Sequence, residues 1–127
     1  MSVTVRMVEP GDESAWAELY AGYRAFYRLA DDASAVATTW QWVRDGEHGL
    51  VGLVAVDDAG RPVALANLRW FARPSSATMG LYLDDLFTAP EARGNGAASA
   101  LLQDAADRAG ARGGSVVRWI TAADNAT

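Results

Sequence analysis

The stretch EARGNGAASALLQ (Glu91–Gln103) places two glycines, Gly94 and Gly96, directly before a run of strong helix formers. A glycine inside a helix costs about 1 kcal/mol relative to alanine, so the pair calls for an explanation. The start of a helix exposes unpaired N–H groups and the positive end of the helix dipole, and residues without a Cβ let an anion approach that backbone. The stretch therefore predicts a phosphate cradle, although two glycines that only supply a turn remain an alternative.

Two common phosphate cradles do not match this stretch. A P-loop requires a lysine after its second glycine, and this chain contains no lysine. A dinucleotide-binding fingerprint requires a third glycine where this sequence has Ser99, and the stretch lies too near the C-terminus for the second half of a Rossmann sheet. Both of these cofactor classes are excluded.

Composition limits the kind of protein. A chain of 127 residues, 50% hydrophobic and 21% charged, is typical of one soluble globular domain. It has no apolar run long enough to span a membrane and no signal-peptide pattern at its start, so a cytoplasmic location is expected. The absence of cysteine and the single histidine, His48, argue against disulfides and a structural zinc site, and no metal is expected. A net charge of −5 argues against nucleic acid and favours a cationic or small neutral partner.

The hydrophobic pattern predicts an α/β (α+β) fold. Alternating or short apolar runs predict strands at Val3–Val8, Leu50–Val56, Pro62–Ala72, Thr78–Thr88 and Ser115–Thr121. Helical spacing predicts a first helix carrying Trp16, Leu19, Tyr20, Tyr23 and Phe26, with Asp12 as its N-cap candidate. A second helix is predicted from about Asp32 to Arg44, and a third from Gly96 to a cap at Gly110. The order β-α-α-β-β-β-α-β predicts a mixed central sheet with helices on both faces and parallel last strands.

A family resemblance rests on the motif RGNGAA (Arg93–Ala98). It matches the pattern [QR]-x-x-G-x-[GA], and it follows the strand and loop LDDLFTAPEARG. WITAADNA (Trp119–Ala126) follows as the end of the next strand. The chain resembles the GNAT-type N-acetyltransferase superfamily, and its motif is most similar to that of polyamine and other small-amine acetyltransferases. The resemblance implies acetyl-CoA as co-substrate and a small amine as acceptor.

The resemblance also implies roles for particular positions. Backbone groups of Leu86, Phe87 and Thr88 are expected to bind the pantetheine arm like an added strand. The pyrophosphate is expected to lie on the N–H groups of the cradle, with Asn95 also in reach; the cradle residues are Arg93, Gly94, Asn95, Gly96, Ala97 and Ala98. Asn125 is expected to contact cofactor or substrate. The aromatic residues of the first helix are mostly core by their spacing, but Tyr23, Tyr27 or Trp40 is expected at the acceptor site.

Two adjacent acids, Asp84 and Asp85, interrupt an apolar strand in which acids are disfavoured. Strict alternation places them on opposite faces of the sheet. An amine must lose a proton before it attacks a thioester, and a carboxylate can accept that proton. The resemblance implies that Asp84 is this base, and Asp85 is expected to help bind the substrate. The alternative is that one acid faces solvent while the other caps a neighbouring backbone group.

The end of the chain sets two further expectations. GNAT proteins continue past the position of Asn125 with another helix and two strands, which carry a tyrosine that commonly protonates the leaving thiolate. This sequence stops at Thr127, so either a form truncated after the fifth strand or a sheet completed by another chain is expected. The apolar edge at Val116–Ile120 then predicts a homodimer or larger assembly. Two functions stay open: an acetyltransferase acting on a small amine, and a non-catalytic acyl-CoA-binding or interaction module.

Overall fold

The computed structural model describes residues 2–117. The strands in this range are β1 (Thr4–Met7), β2 (Leu50–Val56), β3 (Pro62–Arg73), β4 (Thr78–Thr88) and β5 (Val116–Val117). The helices are α1 (Glu13–Phe26), α2 (Ala33–Asp45) and α3 (Ala97–Gly110). Along the chain they follow one another as β1-α1-α2-β2-β3-β4-α3-β5.

The strands form one sheet in the spatial order β1-β2-β3-β4-β5. Strands β1 to β4 pair antiparallel, and β2 and β3 form a hairpin. Strand β5 returns through α3 and pairs parallel to β4, with Leu81 opposite Val116, as the crossover predicted. The rest of the predicted last strand lies outside the described residues, as do Asn125 and most of the edge on which the predicted assembly depends.

Two buried clusters place the helices on opposite faces of the sheet. On one face α1 and α2 contribute Trp16, Trp40 and Val43, which pack with Leu65 and Phe87 of the sheet. On the other face α3 lays a narrow apolar stripe on the strands, formed by Leu101, Ala105 and Ala109 and covering Leu53, Leu68 and Leu83. Small alanines on α3 let that helix approach the sheet closely. In residues 2–117 no helix has both the length and the apolar composition that a bilayer crossing requires.

Two aspartates stand at helix N-caps, and their side chains have different partners. Asp32 caps α2, since its Oδ1 accepts a hydrogen bond from the Ala35 amide at 2.9 Å. Asp12 stands at the N-cap of α1, but its carboxylate accepts two bonds from the Arg6 guanidinium, at 2.7 and 3.0 Å, and one from the Glu9 amide. These bonds hold the pKa of Asp12 below its usual value, the Arg6 bond contributing most. Asp12 therefore ties β1 to the start of α1.

The predicted cap at Gly110 is wrong by a few residues. Helix α3 includes Gly110, and the chain turns only at Gly113, whose φ is +78°. The Gly114 amide then donates to the Ala109 carbonyl at 3.0 Å. The turn delivers the chain to β5, beside the middle of β4.

Candidate active site

A groove of about 660 Å³ joins the start of α3 to the end of β4. Gly94, Gly96, Ala97, Ala98 and Ser99 form one end of it, and Leu86, Phe87 and Thr88 form the other. Phe26, Tyr27, Ala92 and Arg93 complete the walls. Most of the predicted cofactor residues thus line one cavity, although they were selected from two separate segments of sequence.

The start of α3 leaves backbone donors facing this groove without a side chain in front of them. Gly96 is the N-cap with φ +80°, and Gly94 has φ +86°; both are left-handed conformations that favour glycine. A Cβ built on either residue would meet no atom within 4 Å, so the space in front of both is open. No side chain caps the N-terminus of α3 at Gly96, so an anion can approach the first N–H groups of this helix. The start of α3 therefore offers open backbone donors to an anion such as a diphosphate.

Two side chains of the loop before α3 stabilise this loop by bonding to nearby backbone carbonyl groups. Arg93 donates from Nε to the Thr88 carbonyl at 3.2 Å, and its guanidinium lies 5.7 Å from the ring centroids of both Phe26 and Phe87. Asn95 donates from Nδ2 to the Ala92 carbonyl at 3.2 Å. This bond lies within the loop, and Asn95, which was expected within reach of the cofactor, is not among the residues that line the groove.

A β-bulge changes the expected arrangement of the two aspartates. Asn67 of β3 pairs with Asp85 of β4 while its neighbour Leu68 pairs with Leu83, so Asp84 is an extra residue in β4. Asp85 contacts Asn67, and Asp84 contacts Arg69, which is on the same face of β3 as Asn67 because side chains alternate. The prediction that the aspartates point to opposite faces is therefore wrong. Both lie on the face that α1 and α2 cover.

Asp85 is part of a partly buried hydrogen-bond network. Its Oδ2 accepts one bond from the Tyr20 hydroxyl at 3.1 Å and another from Asn67 Nδ2 at 3.0 Å. Burial, together with the nearby Asp85 carboxylate, raises the pKa of Tyr20 far above its ordinary value, so the hydroxyl stays protonated and remains a donor. Asn67 is 2% exposed, and within the described residues its buried Oδ1 has no hydrogen-bond partner.

Asp84 is more accessible and has a cationic partner. Its Oδ2 lies 3.2 Å from Nε of Arg69, and its side chain is 30% exposed. Partial burial raises the pKa of Asp84; Arg69 opposes that shift and Asp85 adds to it. The Arg69 guanidinium lies 4.7 Å above the ring of Tyr82, and the Arg69 side chain is 52% exposed. We refer to Arg69, Asp84 and Asp85 as the charge cluster.

The aromatic residues at the end of α1 only partly follow the sequence prediction. Trp16 and Tyr20 are buried core residues, as expected. Tyr23 is half-buried between the rings of Tyr20 and Phe87. Phe26 and Tyr27, by contrast, are 56% and 38% exposed and form a wall of the groove. The last turn of α1 carries them past the packed sheet, which helical spacing alone does not reveal.

Two other cavities in the described range lack these features. The larger, about 970 Å³, lies between α1 and the loop after β4 and contains the exposed ion pair of Arg61 with Glu91. The smaller, about 400 Å³, lies between α1 and α2. Neither is lined by the start of α3. The groove that ends at Leu86, next to Asp85, is therefore the better candidate for chemistry.

Sequence reasoning missed Asn67, Arg69 and Tyr20 as site residues. One signal was available for the first two: ANLRW sets polar residues at alternate positions of an otherwise apolar strand. That pattern indicates one polar face at this end of β3. Tyr20 carried no such signal, because its spacing is that of a core residue.

Comparison with known proteins identifies the family. The profile of the Acetyltransferase (GNAT) family matches residues 16–127. The chain is 35% identical over 113 residues to the uncharacterized N-acetyltransferase YhfO of Bacillus subtilis, covering 87% of this chain and 73% of YhfO. It is 27% identical over 120 residues to the D-amino-acid N-acetyltransferase HPA3 of Saccharomyces cerevisiae, covering 94% and 74% of the two chains. The chain belongs to the GNAT acetyltransferase family.

Solved structures show the same fold. The crystal structure of a probable acetyltransferase superposes with a TM-score of 0.85 at 23% identity, covering 100% of this chain and 83% of the other. A Clostridium acetobutylicum acetyltransferase with acetyl-CoA superposes with a TM-score of 0.73 at 15% identity, covering 94% and 82%. The predicted GNAT resemblance is confirmed, and the mixed sheet with three helices is a GNAT-like fold.

Proposed function

We propose that this protein transfers the acetyl group of acetyl-CoA to the primary amine of a small molecule. One observation carries the proposal: a single groove leads from an open helix N-terminus along β4 to Leu86, the residue that follows Asp84 and Asp85 in the strand. The proposed diphosphate site lines this groove, and the proposed proton acceptor lies two residues along β4 from the end of the groove. Membership of the GNAT family supports acyl transfer from acetyl-CoA.

The chain offers two kinds of backbone contact to acetyl-CoA. The N–H groups from Arg93 to Ala98 are proposed to hold the diphosphate, with the Arg93 guanidinium adding positive charge beside it. Backbone groups of Leu86, Phe87 and Thr88 are proposed to hold the pantetheine arm. In the described part of β5, pairing with β4 involves only Leu81 and Tyr82, while β4 runs on to Thr88. When bound, acetyl-CoA supplies a thioester as the activated acetyl group.

The proposed chemistry requires a neutral amine. An alkyl ammonium has a pKa near 10, so the acceptor gives one proton to a carboxylate before its nitrogen attacks. The nitrogen–carbon bond then forms as the carbon–sulfur bond breaks, and the second nitrogen proton leaves with the thiolate as the free thiol. The products are the amide, CoA and one proton released to solvent.

Asp84 is the proposed proton acceptor. It is the more accessible of the two aspartates, and its pKa is raised, which brings it nearer to the working range of a base at neutral pH. Asp85 is proposed as a positioning residue that contributes to acceptor binding, because its Oδ2 is already held by Tyr20 and Asn67. Tyr27, on the groove wall, is proposed to contact the acceptor or the acyl arm, and Tyr23 to support that wall.

The proposal is tested by calorimetric titration with acetyl-CoA and by release of free thiol with a panel of primary amines. Asp84→Asn should lower kcat/KM about 10²–10⁴-fold and leave acetyl-CoA affinity nearly unchanged. Asp104→Asn is the matched control, because Asp104 is also paired with an arginine Nε and its side chain is similarly exposed, at 27%. That control should behave as wild type in both assays.

The outcomes distinguish the acetyltransferase from the non-catalytic acyl-CoA-binding module. If acetyl-CoA does not bind, the proposed function is wrong. If acetyl-CoA binds in the groove but no amine releases free thiol, the chain is a non-catalytic acyl-CoA-binding module. An equal loss of activity in Asp84→Asn and Asp104→Asn would remove Asp84 from the chemistry.

A further inference from the structure

We propose that Arg69 binds an anionic group next to the reacting amine, so that the preferred acceptors are amino acids rather than amines that carry only positive charge. This inference rests on the proposed acetyl transfer and names its acceptor class. It makes Arg69 a specificity-determining residue, a role that the transfer chemistry itself does not require.

The geometry of the charge cluster sets a cation beside two carboxylates. Asn67 and Arg69 lie on one face of β3, and Asp85 and Asp84 bond to them in that order. An amino acid has the complementary arrangement, an ammonium group and a carboxylate separated by one carbon. Its ammonium matches the aspartates and its carboxylate matches the guanidinium.

The Nη groups of Arg69 are available to donate hydrogen bonds to the carboxylate of an amino acid. In the part of the chain that the structure describes, its polar side-chain contact is the one from Nε to Asp84. The Nη groups belong to a side chain that is 52% exposed, and the guanidinium lies over the Tyr82 ring, 4.7 Å from its centroid. A guanidinium presented in this way binds a carboxylate through two parallel bonds.

The ammonium side of the cluster also has an unused acceptor. The Asp85 carboxylate accepts bonds from Tyr20 and Asn67 and also lies near the Tyr23 hydroxyl, whose pKa burial and Asp85 raise, whereas Asn67 Oδ1 is buried beside it without a partner in residues 2–117. Buried polar atoms are nearly always satisfied in native proteins, so a donor is expected near this point when the site is filled. An ammonium group, directly or through a water, supplies such a donor.

Binding of a carboxylate to Arg69 also favours the proposed base. Arg69 is the group that opposes the rise in the pKa of Asp84, while partial burial and Asp85 both promote it. A substrate carboxylate that engages Arg69 weakens that opposition. Asp84 then accepts a proton more readily when the correct acceptor is present.

The test compares acceptors that differ only in the carboxylate. Alanine, leucine and phenylalanine, in both configurations, are compared with their carboxamides and with the amines that lack the carboxyl carbon, by kcat/KM for thiol release. We expect the amino acids to be preferred about 10–100-fold, the usual effect of one hydrogen-bonded charge pair. The carboxamide has the less basic amine and hence more of the reactive neutral form, so intrinsic reactivity works against this result.

Variants assign the preference to Arg69. Arg69→Gln should bring the ratio of kcat/KM between amino acids and simple amines close to one, and Arg69→Lys should restore part of that ratio. Arg73→Gln is the control on the same strand, since Arg73 donates to Ser115 Oγ and lies outside the cluster. Melting curves and acetyl-CoA titrations of all variants show whether the fold and the cofactor cradle are intact.

The outcomes distinguish this inference from the function on which it rests. If simple amines are acetylated as well as amino acids, or if Arg69→Gln keeps the preference, the role of Arg69 is wrong while the transferase stands. If acetyl-CoA does not bind, the proposed function fails. If the amino acids neither react nor bind in calorimetry in the presence of CoA, the inference is overturned on that result alone.

Discussion

Replacement of Gly96 by alanine tests the anion cradle against a matched control elsewhere in the chain. Gly96 and Gly60 both have φ +80°, and a Cβ at either would meet nothing within 4 Å. Gly60 lies in the turn between β2 and β3 and does not line the groove. The two alanine variants therefore introduce the same backbone strain, and only one of them places a methyl group in the cradle.

The magnitudes follow from these two facts. A left-handed alanine costs about 1–2 kcal/mol, and with no clash to add, both variants should lose about that much stability. For a domain of this size the melting temperature should fall by about 3–6 °C per kcal/mol. In Gly96→Ala alone, the loss of one N–H bond to a diphosphate should cost a further 1.5–3 kcal/mol or so of binding, about a 10–150-fold rise in Kd.

The assay is calorimetric titration with acetyl-CoA at a temperature well below the melting point of both variants, paired with thermal melts. The expected result is equal destabilisation and weaker binding only in Gly96→Ala. Unchanged affinity in Gly96→Ala would contradict the cradle. An equal loss of affinity in Gly60→Ala would show that the effect is general destabilisation and not loss of the anion contact.

Three more predictions follow from single residues. The loss of kcat/KM in Asp84→Asn should be smaller at high pH than at neutral pH, because the amine is already neutral at high pH. At neutral pH, Asp85→Asn should lose less kcat/KM than Asp84→Asn. A pH profile in which Asp85→Asn is the more damaged variant would reverse the two roles. Asp12→Asn should lower the free energy of unfolding by about 1–2 kcal/mol at pH 7. The folded-state pKa of Asp12 lies below its unfolded value, so the stabilisation by Asp12 is lost as the pH falls from about 4 through the folded-state pKa. Urea titrations over this pH range should show the difference between the variant and the wild type disappearing. Asp32→Ala should cost about 1 kcal/mol through loss of the cap on α2, with no change in acetyl-CoA affinity; a melting temperature equal to wild type would show that the cap bond contributes nothing.

Periodicity was sufficient for the elements because each buries a regular set of apolar positions, on one face or on both. The strand from Leu50 to Val56 is apolar throughout and lies between two other strands, and the bounds predicted for it and for Thr78–Thr88 are those observed. The glycines before α3 were informative for a similar reason, since their left-handed conformations are local properties of the chain. Local sequence therefore located both the sheet and the cradle.

The arrangement of the aspartates could not be predicted in the same way. A bulge adds a residue to one strand without changing the apolar pattern on either side of it, and strict counting then assigns Asp84 and Asp85 to opposite faces. The partners Arg69 and Asn67 come from another strand, so their contacts depend on register rather than on spacing along β4. The prediction that Phe26 is a core residue was wrong for a related reason, because helical spacing does not show where a helix extends beyond the sheet.

The bulge has a consequence for insertions and deletions in this strand. Leu83 packs toward α3, while Asp85 faces α1, Leu86 faces α3 and Phe87 faces α1, so these four residues alternate regularly if Asp84 is omitted. Deletion of Asp84 alone should therefore leave every other side chain of β4 on its present face, whereas deletion of Leu83 or Phe87 would remove a core residue. Related chains that lack one residue at this point would keep the whole core but would lack the proposed base. In an alignment, a one-residue gap in β4 would then distinguish relatives that only bind acetyl-CoA from relatives that catalyse acetyl transfer.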